Sequence, residues 1–153
     1  MNTRNAMLAA LLAAAALPAL AEDAATLERG RYVLKIGGCN DCHTPGYGVG
    51  GGNVPESQWL LGDSLGWQGP WGTTYPPNLR LYMQGLTEEQ WLAKAKQLST
   101  RPPMPWFAVR AMTEQDLRAV YRYIRHLGPA GTPAPAYVPP REAAKTPVVL
   151  FPQ

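Results

Sequence analysis

Residues 37–43 read Gly-Gly-Cys-Asn-Asp-Cys-His, and this stretch decides how the rest of the 153-residue chain is interpreted. Cys39 and Cys42 are the two cysteines of the sequence. Because no other thiol is present, the chain has no disulfide framework, and the pair is expected to serve another purpose. Cysteines at this spacing lie on one face of a helical turn, and His43 follows the second cysteine directly.

The spacing C-x-x-C-H is the attachment motif of c-type haem. On one helical turn the thiols of Cys39 and Cys42 can each form a thioether with a haem vinyl group, and His43 is then placed as the proximal iron ligand. A thioredoxin-type dithiol would be expected beside a βαβ pattern, and a zinc site would need a second ligand pair; the sequence offers neither. It therefore predicts one covalently attached haem c. The sequence leaves two candidates, Pro45 and Pro55, for the carbonyl that accepts a hydrogen bond from the His43 ring.

Iron in an electron carrier usually has a second axial ligand, either a methionine thioether or a histidine nitrogen. Met104 stands between Pro103 and Pro105. The two prolines restrict the local backbone, and Pro105 favours an extended conformation at the residue before it. A stiff loop that presents one thioether suits an iron ligand, so we predict Met104 as the second axial ligand.

The remaining candidate ligands beyond the first 21 residues have simpler explanations. Met112 directly precedes the predicted helix cap at Thr113, where packing accounts for it. Met83 lies among aromatic residues and is expected to fill the core or the surface. His126 falls on the polar side of the last predicted helix, where a solvated histidine is expected.

The first 21 residues have the pattern of a secretory signal peptide. Arg4 precedes an apolar run over residues 6–17, and a small-residue triplet follows at 19–21. The run is shorter than the roughly 20 apolar residues of a spanning helix, so no stable membrane insertion is expected. We expect an exported, periplasmic chain that starts near Glu22. Its thirteen basic and eleven acidic side chains nearly balance, so the composition does not indicate a basic surface for nucleic acid.

Helical periodicity predicts three main helices, over residues 26–37, from residue 87 to about residue 98, and over residues 113–128. Residues 44–86 hold ten of the fifteen glycines and show no sustained period, so long ordered loops are expected there. The expected fold class is mainly α. An extended Pro-rich tail over residues 129–153 is expected to cover the surface or dock a partner, without a part in retaining haem.

Over residues 24–128 the chain resembles class I c-type cytochromes. The resemblance is carried by the attachment motif, the Pro-Met-Pro loop and the closing Tyr-Ile-Arg-His-Leu-Gly of the last helix. It implies a class I cytochrome c-like fold around one haem, with a cytochrome domain at 22–128. In that family the first and last helices cross near a glycine, and Gly30 is the candidate, against Tyr121 or Ile124.

Residues 75–79, Tyr-Pro-Pro-Asn-Leu, are similar to the Asn-Ile/Leu-Thr-Pro segment of cytochrome subunits that accompany periplasmic dehydrogenases. The match is partial, because Arg80 stands where those subunits have threonine. Asn78 and Arg80 are candidate contacts of the haem propionates, since arginine suits carboxylates. An ordinary turn with a surface arginine is the alternative.

These features predict one-electron transfer between periplasmic redox partners, such as a periplasmic dehydrogenase or a terminal oxidase, without an enzymatic reaction by this chain alone. A haem enzyme or gas sensor with an open sixth position is the alternative, although no distal histidine or arginine can be placed for it. A dedicated subunit of a larger oxidoreductase is compatible with electron transfer and stays open.

Overall fold

A computed structural model describes residues 23–152 of the chain. The predicted signal peptide, residues 1–21, lies outside the described residues. Within them, six α-helices and one 3₁₀ turn are joined by long loops and a small sheet. The helices are α1 over residues 23–36, α2 Cys39–His43, α3 Leu79–Gln84, α4 Glu88–Lys96, α5 Trp106–Ala111 and α6 Glu114–Leu127, with the 3₁₀ turn at Glu56–Gln58.

Local capping sets where the two longest helices after α1 begin. At the start of α4, the Thr87 hydroxyl accepts from the Gln90 N–H and the Gln90 side chain accepts from the Thr87 N–H, which forms the capping box that the sequence indicates. At the start of α6, the Thr113 hydroxyl accepts from the Asp116 N–H. The predicted starts of both helices are confirmed, and α4 ends at Lys96, earlier than predicted.

The helices α1 and α6 cross at Gly30. A Cβ atom at this position would lie 2.1 Å from the backbone oxygen of Ala119 and 2.7 Å from the Cβ of Tyr123. The crossing partners are therefore Ala119 and Tyr123, and the expectation of Tyr121 or Ile124 is corrected. Only a residue without a side chain lets the two backbones approach this closely.

A three-stranded sheet is the main departure from the mainly α expectation, and the fold is mixed. Its strands are β1 Gly66–Gly69, β2 Gly72–Thr74 and β3 Val148–Leu150, in the order β2-β1-β3. The first two form an antiparallel hairpin inside the segment predicted to be a loop, and β3 pairs parallel with β1. Strands of three or four residues are too short to show an alternating apolar pattern, so the sequence did not indicate them.

The C-terminal segment, residues 129–152, is anchored to this sheet. Besides β3, Val138 exchanges two backbone hydrogen bonds with Thr73. The Phe151 ring lies 5.4 Å from the Trp71 ring and 5.9 Å from the Trp67 ring. The segment is free of helix over the described residues, turns at residues 140–142 and completes the sheet.

The short helices α3 and α5 were not predicted either, because six residues hold fewer than two helical turns and show little periodicity. Both connect the middle of the chain to the core, where Met83 of α3 and Val109 of α5 are buried. No helix in residues 23–152 combines the length and the apolar character that crossing a membrane requires.

Candidate functional site

The Cys39–His43 motif forms its own short helix. Gly38 has φ 66° and ψ 19°, a left-handed conformation that suits glycine, and it separates α1 from α2. Because α2 is a single helical turn, Cys39, Cys42 and His43 come to one side of the chain, as their spacing predicts. Both thiols are free and partly buried.

These three residues line an apolar cavity of about 360 Å³. The volume is within the range of about 300–1,000 Å³ usual for ligand and cofactor sites. The cavity wall from the helices consists of core side chains, among them Leu34, Met83, Trp91, Val120 and Ile124. Met104, the predicted second axial ligand, lines the same cavity.

The His43 ring is buried and its orientation is set by one hydrogen bond. Its Nδ1 lies 2.8 Å from the carbonyl oxygen of Pro77. This corrects the expectation of Pro45 or Pro55 as the acceptor. Because a carbonyl only accepts, Nδ1 must carry the proton, and in the neutral ring this leaves the lone pair of Nε2 available to a metal. Burial lowers the pKa of His43, which favours the neutral ring that a metal ligand requires.

Gly62 allows the Pro77 carbonyl to approach His43. The Gly62 N–H donates to the His43 carbonyl oxygen at 2.9 Å, with φ 75° at the glycine. A Cβ atom there would lie 2.7 Å from the Asn78 nitrogen and 2.8 Å from the Pro76 oxygen. The glycine thus joins the end of α2 to the segment that carries the hydrogen-bond acceptor.

The two thiols are not tuned as a reactive dithiol. Burial raises the pKa of the Cys39 thiol to about 11. Burial also raises the pKa of Cys42, with a further contribution from the charge of Asp41. A catalytic dithiol needs a thiol with a lowered pKa, so the environment opposes that chemistry.

Met104 reaches the cavity from the loop before α5. The Trp106 N–H donates to the Met104 carbonyl oxygen at 2.9 Å, across Pro105 with φ −79° and ψ 64°. These are the angles of an inverse γ-turn, which makes the loop tight. The Met104 side chain is partly buried against the core.

The two other candidate methionines also line the cavity, but they have further packing roles. Met83, in α3, is 1% exposed and belongs to the hydrophobic core. Met112 lies close to the start of α2: a Cβ atom built at Gly37 would be 3.6 Å from the Met112 Cε and 3.8 Å from the Cys39 Sγ. His126 is exposed on α6, as expected for a solvated histidine.

Asn78 and Arg80 are buried but do not line the cavity. The Asn78 side chain caps α3 by accepting from the Leu81 N–H, and it donates to the carbonyls of Ala130 and Thr132. The Arg80 guanidinium donates to the backbone carbonyls of Leu127 and Gly128 at the C-terminal end of α6, and to that of Ser57 in the 3₁₀ turn. Their polar groups therefore stabilise loops and a helix end, where cations are favoured.

Sequence reasoning missed the cavity wall that the hairpin and the C-terminal segment provide. Trp67 of the hairpin, Tyr75 directly after it and Tyr137 of the tail belong to this wall, and Arg101 of the loop between α4 and α5 lies beside them in the cavity lining. Tyr137 in particular corrects the expectation that the tail only covers the surface or docks a partner. The signal in the sequence is an aromatic residue within a proline-rich stretch, which does not by itself indicate which surface it contacts.

In the described part of the chain, no three His, Cys, Asp or Glu side chains cluster in a way that could hold a metal ion. The Cys39–Cys42 pair is therefore not accompanied there by the second ligand pair of a structural zinc site. Comparisons of the chain with protein-family models, with curated proteins and with solved structures find no match.

Proposed function

We propose that this chain is a mono-haem c-type cytochrome that carries single electrons between periplasmic redox partners. One observation carries the proposal: Cys39, Cys42, His43 and Met104 all line one apolar cavity. Two of them are suited to thioether bonds, and the other two are a nitrogen and a sulfur ligand that iron accepts. These residue types fit a covalent haem c with two axial ligands.

Each residue of the site has a defined role in this function. Cys39 and Cys42 hold the haem covalently, and His43, oriented by Pro77, binds the iron through Nε2. Met104 supplies the second axial ligand, and when bound, the haem iron supplies reversible one-electron oxidation and reduction. The apolar walls exclude water and disfavour the extra charge of ferric iron, so they favour the reduced state.

The helix arrangement supports a class I cytochrome fold. In that family the first and last helices cross at a glycine, and α1 and α6 do so at Gly30. The attachment helix α2 follows α1 directly, and the Met104 loop lies shortly before α6. The sheet and the anchored tail are additions to this arrangement.

The decisive experiment is expression with an export and haem-attachment system, followed by denaturing electrophoresis with a haem stain. We expect colour to remain with the wild-type polypeptide and to be lost when Cys39 and Cys42 are both replaced by alanine. His126→Ala is the control, because this histidine is exposed and away from the cavity lining; it should keep the colour. Release of the colour from denatured wild-type protein would refute covalent attachment.

Electron transfer itself is tested on the purified holoprotein. We expect reversible one-electron reduction without binding of carbon monoxide, because both axial positions are filled. Binding of carbon monoxide by the reduced wild-type protein would favour the haem enzyme or gas sensor. Copurification from the native host would distinguish a free carrier from a subunit of a periplasmic dehydrogenase.

A further inference from the structure

Arg101 is the one permanently charged side chain among the described residues that line the cavity. It lies in the loop between α4 and α5, three residues before Met104. No carboxylate in residues 23–152 forms an ion pair with it, whereas Arg29, Arg31, Arg118 and Arg122 are all paired. A cation at the edge of an apolar cavity is therefore available to an anionic group inside it.

The C-terminal segment holds this guanidinium in place. The Cζ atom of Arg101 lies 3.7 Å from the centre of the Tyr137 ring, the distance of a close cation–π contact. The ring is itself fixed, because the Tyr137 hydroxyl donates to the Trp71 carbonyl oxygen at 2.8 Å. The neighbouring Val138 is hydrogen-bonded to Thr73 through both its N–H and its carbonyl oxygen.

Gly72 makes this contact of the tail with the hairpin sterically possible. It has φ 95°, and a Cβ atom there would lie 2.4 Å from the Val138 oxygen and 3.0 Å from the Tyr137 ring. The loop with Arg101 is tied to the same hairpin, since the Thr74 hydroxyl donates to the Pro102 carbonyl oxygen at 2.7 Å. The hairpin, the loop and the tail thus form one wall around the guanidinium.

We propose that Arg101 binds the carboxylates of the haem and that Tyr137 is the positioning residue that holds its guanidinium toward the cavity. The inference rests on the proposed function and names a partner for the one strongly anionic part of the cofactor. A guanidinium is suited to carboxylates, because its N–H groups can pair with both oxygens. In Arg80, the candidate from the sequence, each of the three guanidinium nitrogens already donates to a backbone carbonyl.

The position of Arg101 at the cavity mouth also suits the chemistry. Its side chain lines the cavity while the residue as a whole is exposed to solvent. Carboxylates are costly to bury without a partner, so they favour a site where one cation and water are both within reach. The apolar core side of the cavity offers no cation.

The test is the reduction potential of the full-length holoprotein, with Arg101→Gln compared to Arg110→Gln. Arg110 is a matched control: it is an exposed arginine nearby, stacked on Trp106 and bonded to the Lys96 carbonyl, but it does not line the cavity. Both changes remove one positive charge. A nearby cation favours reduced iron, so we expect Arg101→Gln to lower the potential more than Arg110→Gln, whose effect is screened by solvent.

Infrared difference spectra between the oxidised and reduced holoproteins give a second readout. We expect the haem carboxylate bands to shift in Arg101→Gln and to stay unchanged in Arg110→Gln. Tyr137→Leu should change the potential in the same direction as Arg101→Gln, and Tyr137→Phe should have a smaller effect, because it keeps the ring and loses only the hydrogen bond to Trp71. In the double variant with Arg101→Gln, loss of Tyr137 should add little, since the two residues act as a unit.

The outcomes separate this inference from the proposed function. If all variants retain covalent haem, but Arg101→Gln and Arg110→Gln have equal potentials and unchanged carboxylate bands, the role of Arg101 is refuted and the cytochrome proposal stands. If Tyr137→Leu has the same reduction potential as the wild type, Arg101 does not depend on Tyr137 and the positioning role is refuted. Absence of covalent haem from the wild-type chain would refute the proposed function itself.

Discussion

A hydrogen bond of 2.8 Å joins the ring Nδ1 of His43 to the carbonyl oxygen of Pro77, across 34 positions of sequence. Pro77 belongs to the segment over residues 75–79, whose resemblance to a segment of dehydrogenase-associated cytochrome subunits suggested propionate contacts by Asn78 and Arg80. In the structure this segment instead orients the predicted iron ligand. A hydrogen-bonded imidazole is a stronger electron donor, so this contact bears on both the geometry and the potential of the site.

Gly62→Ala tests how closely the segment must approach His43. The new Cβ atom would lie 2.7 Å from the Asn78 nitrogen, at a residue with φ 75°. We expect the unfolding free energy, measured by denaturant titration, to fall by about 2–3 kcal/mol, because alanine is strained at this backbone conformation and the segment around Asn78 must move away. Gly46→Ala is the control, because it has φ 74° but no atom within 4 Å, and it should cost only about 1 kcal/mol. Equal losses would mean that close approach is unimportant.

Gly30→Ala should destabilise the protein although alanine is the better helix former. Replacing an exposed helical glycine by alanine usually stabilises by about 1 kcal/mol. Here the Cβ atom would lie 2.1 Å from the Ala119 oxygen, so the two helices must separate, and we expect a net loss of roughly 2–3 kcal/mol in thermal or denaturant unfolding. Gly85→Ala, whose nearest neighbour would be 3.7 Å away, should change stability little. A more stable Gly30→Ala variant would contradict the close crossing.

Met104→Ala should remove the weak near-infrared band of sulfur-to-ferric-iron charge transfer. It should also lower the reduction potential and admit carbon monoxide to the reduced iron, because a thioether ligand favours ferrous iron. Met83→Ala is expected to cost about 2–5 kcal/mol of stability, since Met83 is 1% exposed, but to keep the band. Met112→Ala should keep it too. Loss of the band in Met112→Ala alone would reassign the ligand.

Truncation after Gly128 should lower stability and change the haem spectrum or potential. It removes Tyr137 from the cavity wall, the Val138 pairing with Thr73 and the strand β3. A shorter truncation that ends at Pro147 is the control, because it removes β3 but keeps the Tyr137 contacts. We expect it to lower the melting temperature only. An unchanged potential after the longer truncation would show that the tail acts on stability alone.

Glu56 should contribute stability that is lost in acid. The Tyr123 hydroxyl and the Arg31 guanidinium both donate to its carboxylate, and these contacts lower the pKa of Glu56 below its usual value of 4.5. Because the folded state holds the proton less tightly than the unfolded state, the contribution is present above about pH 4.5 and is lost as the pH falls below it.

Glu56→Gln should therefore lower the unfolding free energy at pH 7 by about 1 kcal/mol or less, given the partial exposure of the carboxylate. The difference from wild type should shrink as the pH falls below about 4.5, measured by denaturant unfolding at several pH values. The control Glu142→Gln removes an exposed carboxylate of the tail and should change the unfolding free energy at pH 7 little. A constant difference at every pH would mean that lost packing, and not charge, explains the effect.

The sequence by itself determined the features that depend on neighbouring residues. The C-x-x-C-H spacing places three functional groups on one helical turn, and the caps at Thr87 and Thr113 set the starts of α4 and α6. Pro103 and Pro105 likewise restrict the Met104 loop from within a few residues. Such features follow from local sterics and hydrogen bonding, so they can be read without knowing the fold.

Only the tertiary structure decided which distant groups meet. The acceptor for His43, the partners of Gly30 and the parallel pairing of β3 with β1 each join segments far apart in the sequence. The same holds for the two arginines. The Arg80 guanidinium donates to carbonyls of the 3₁₀ turn and of the end of α6, and the Arg101 guanidinium stacks on the Tyr137 ring. A guanidinium can satisfy its donors with a carboxylate, a carbonyl or an aromatic face, and its residue type does not distinguish them. The packing of the chain brings one of these partners within reach, and that choice assigns the side chain its role.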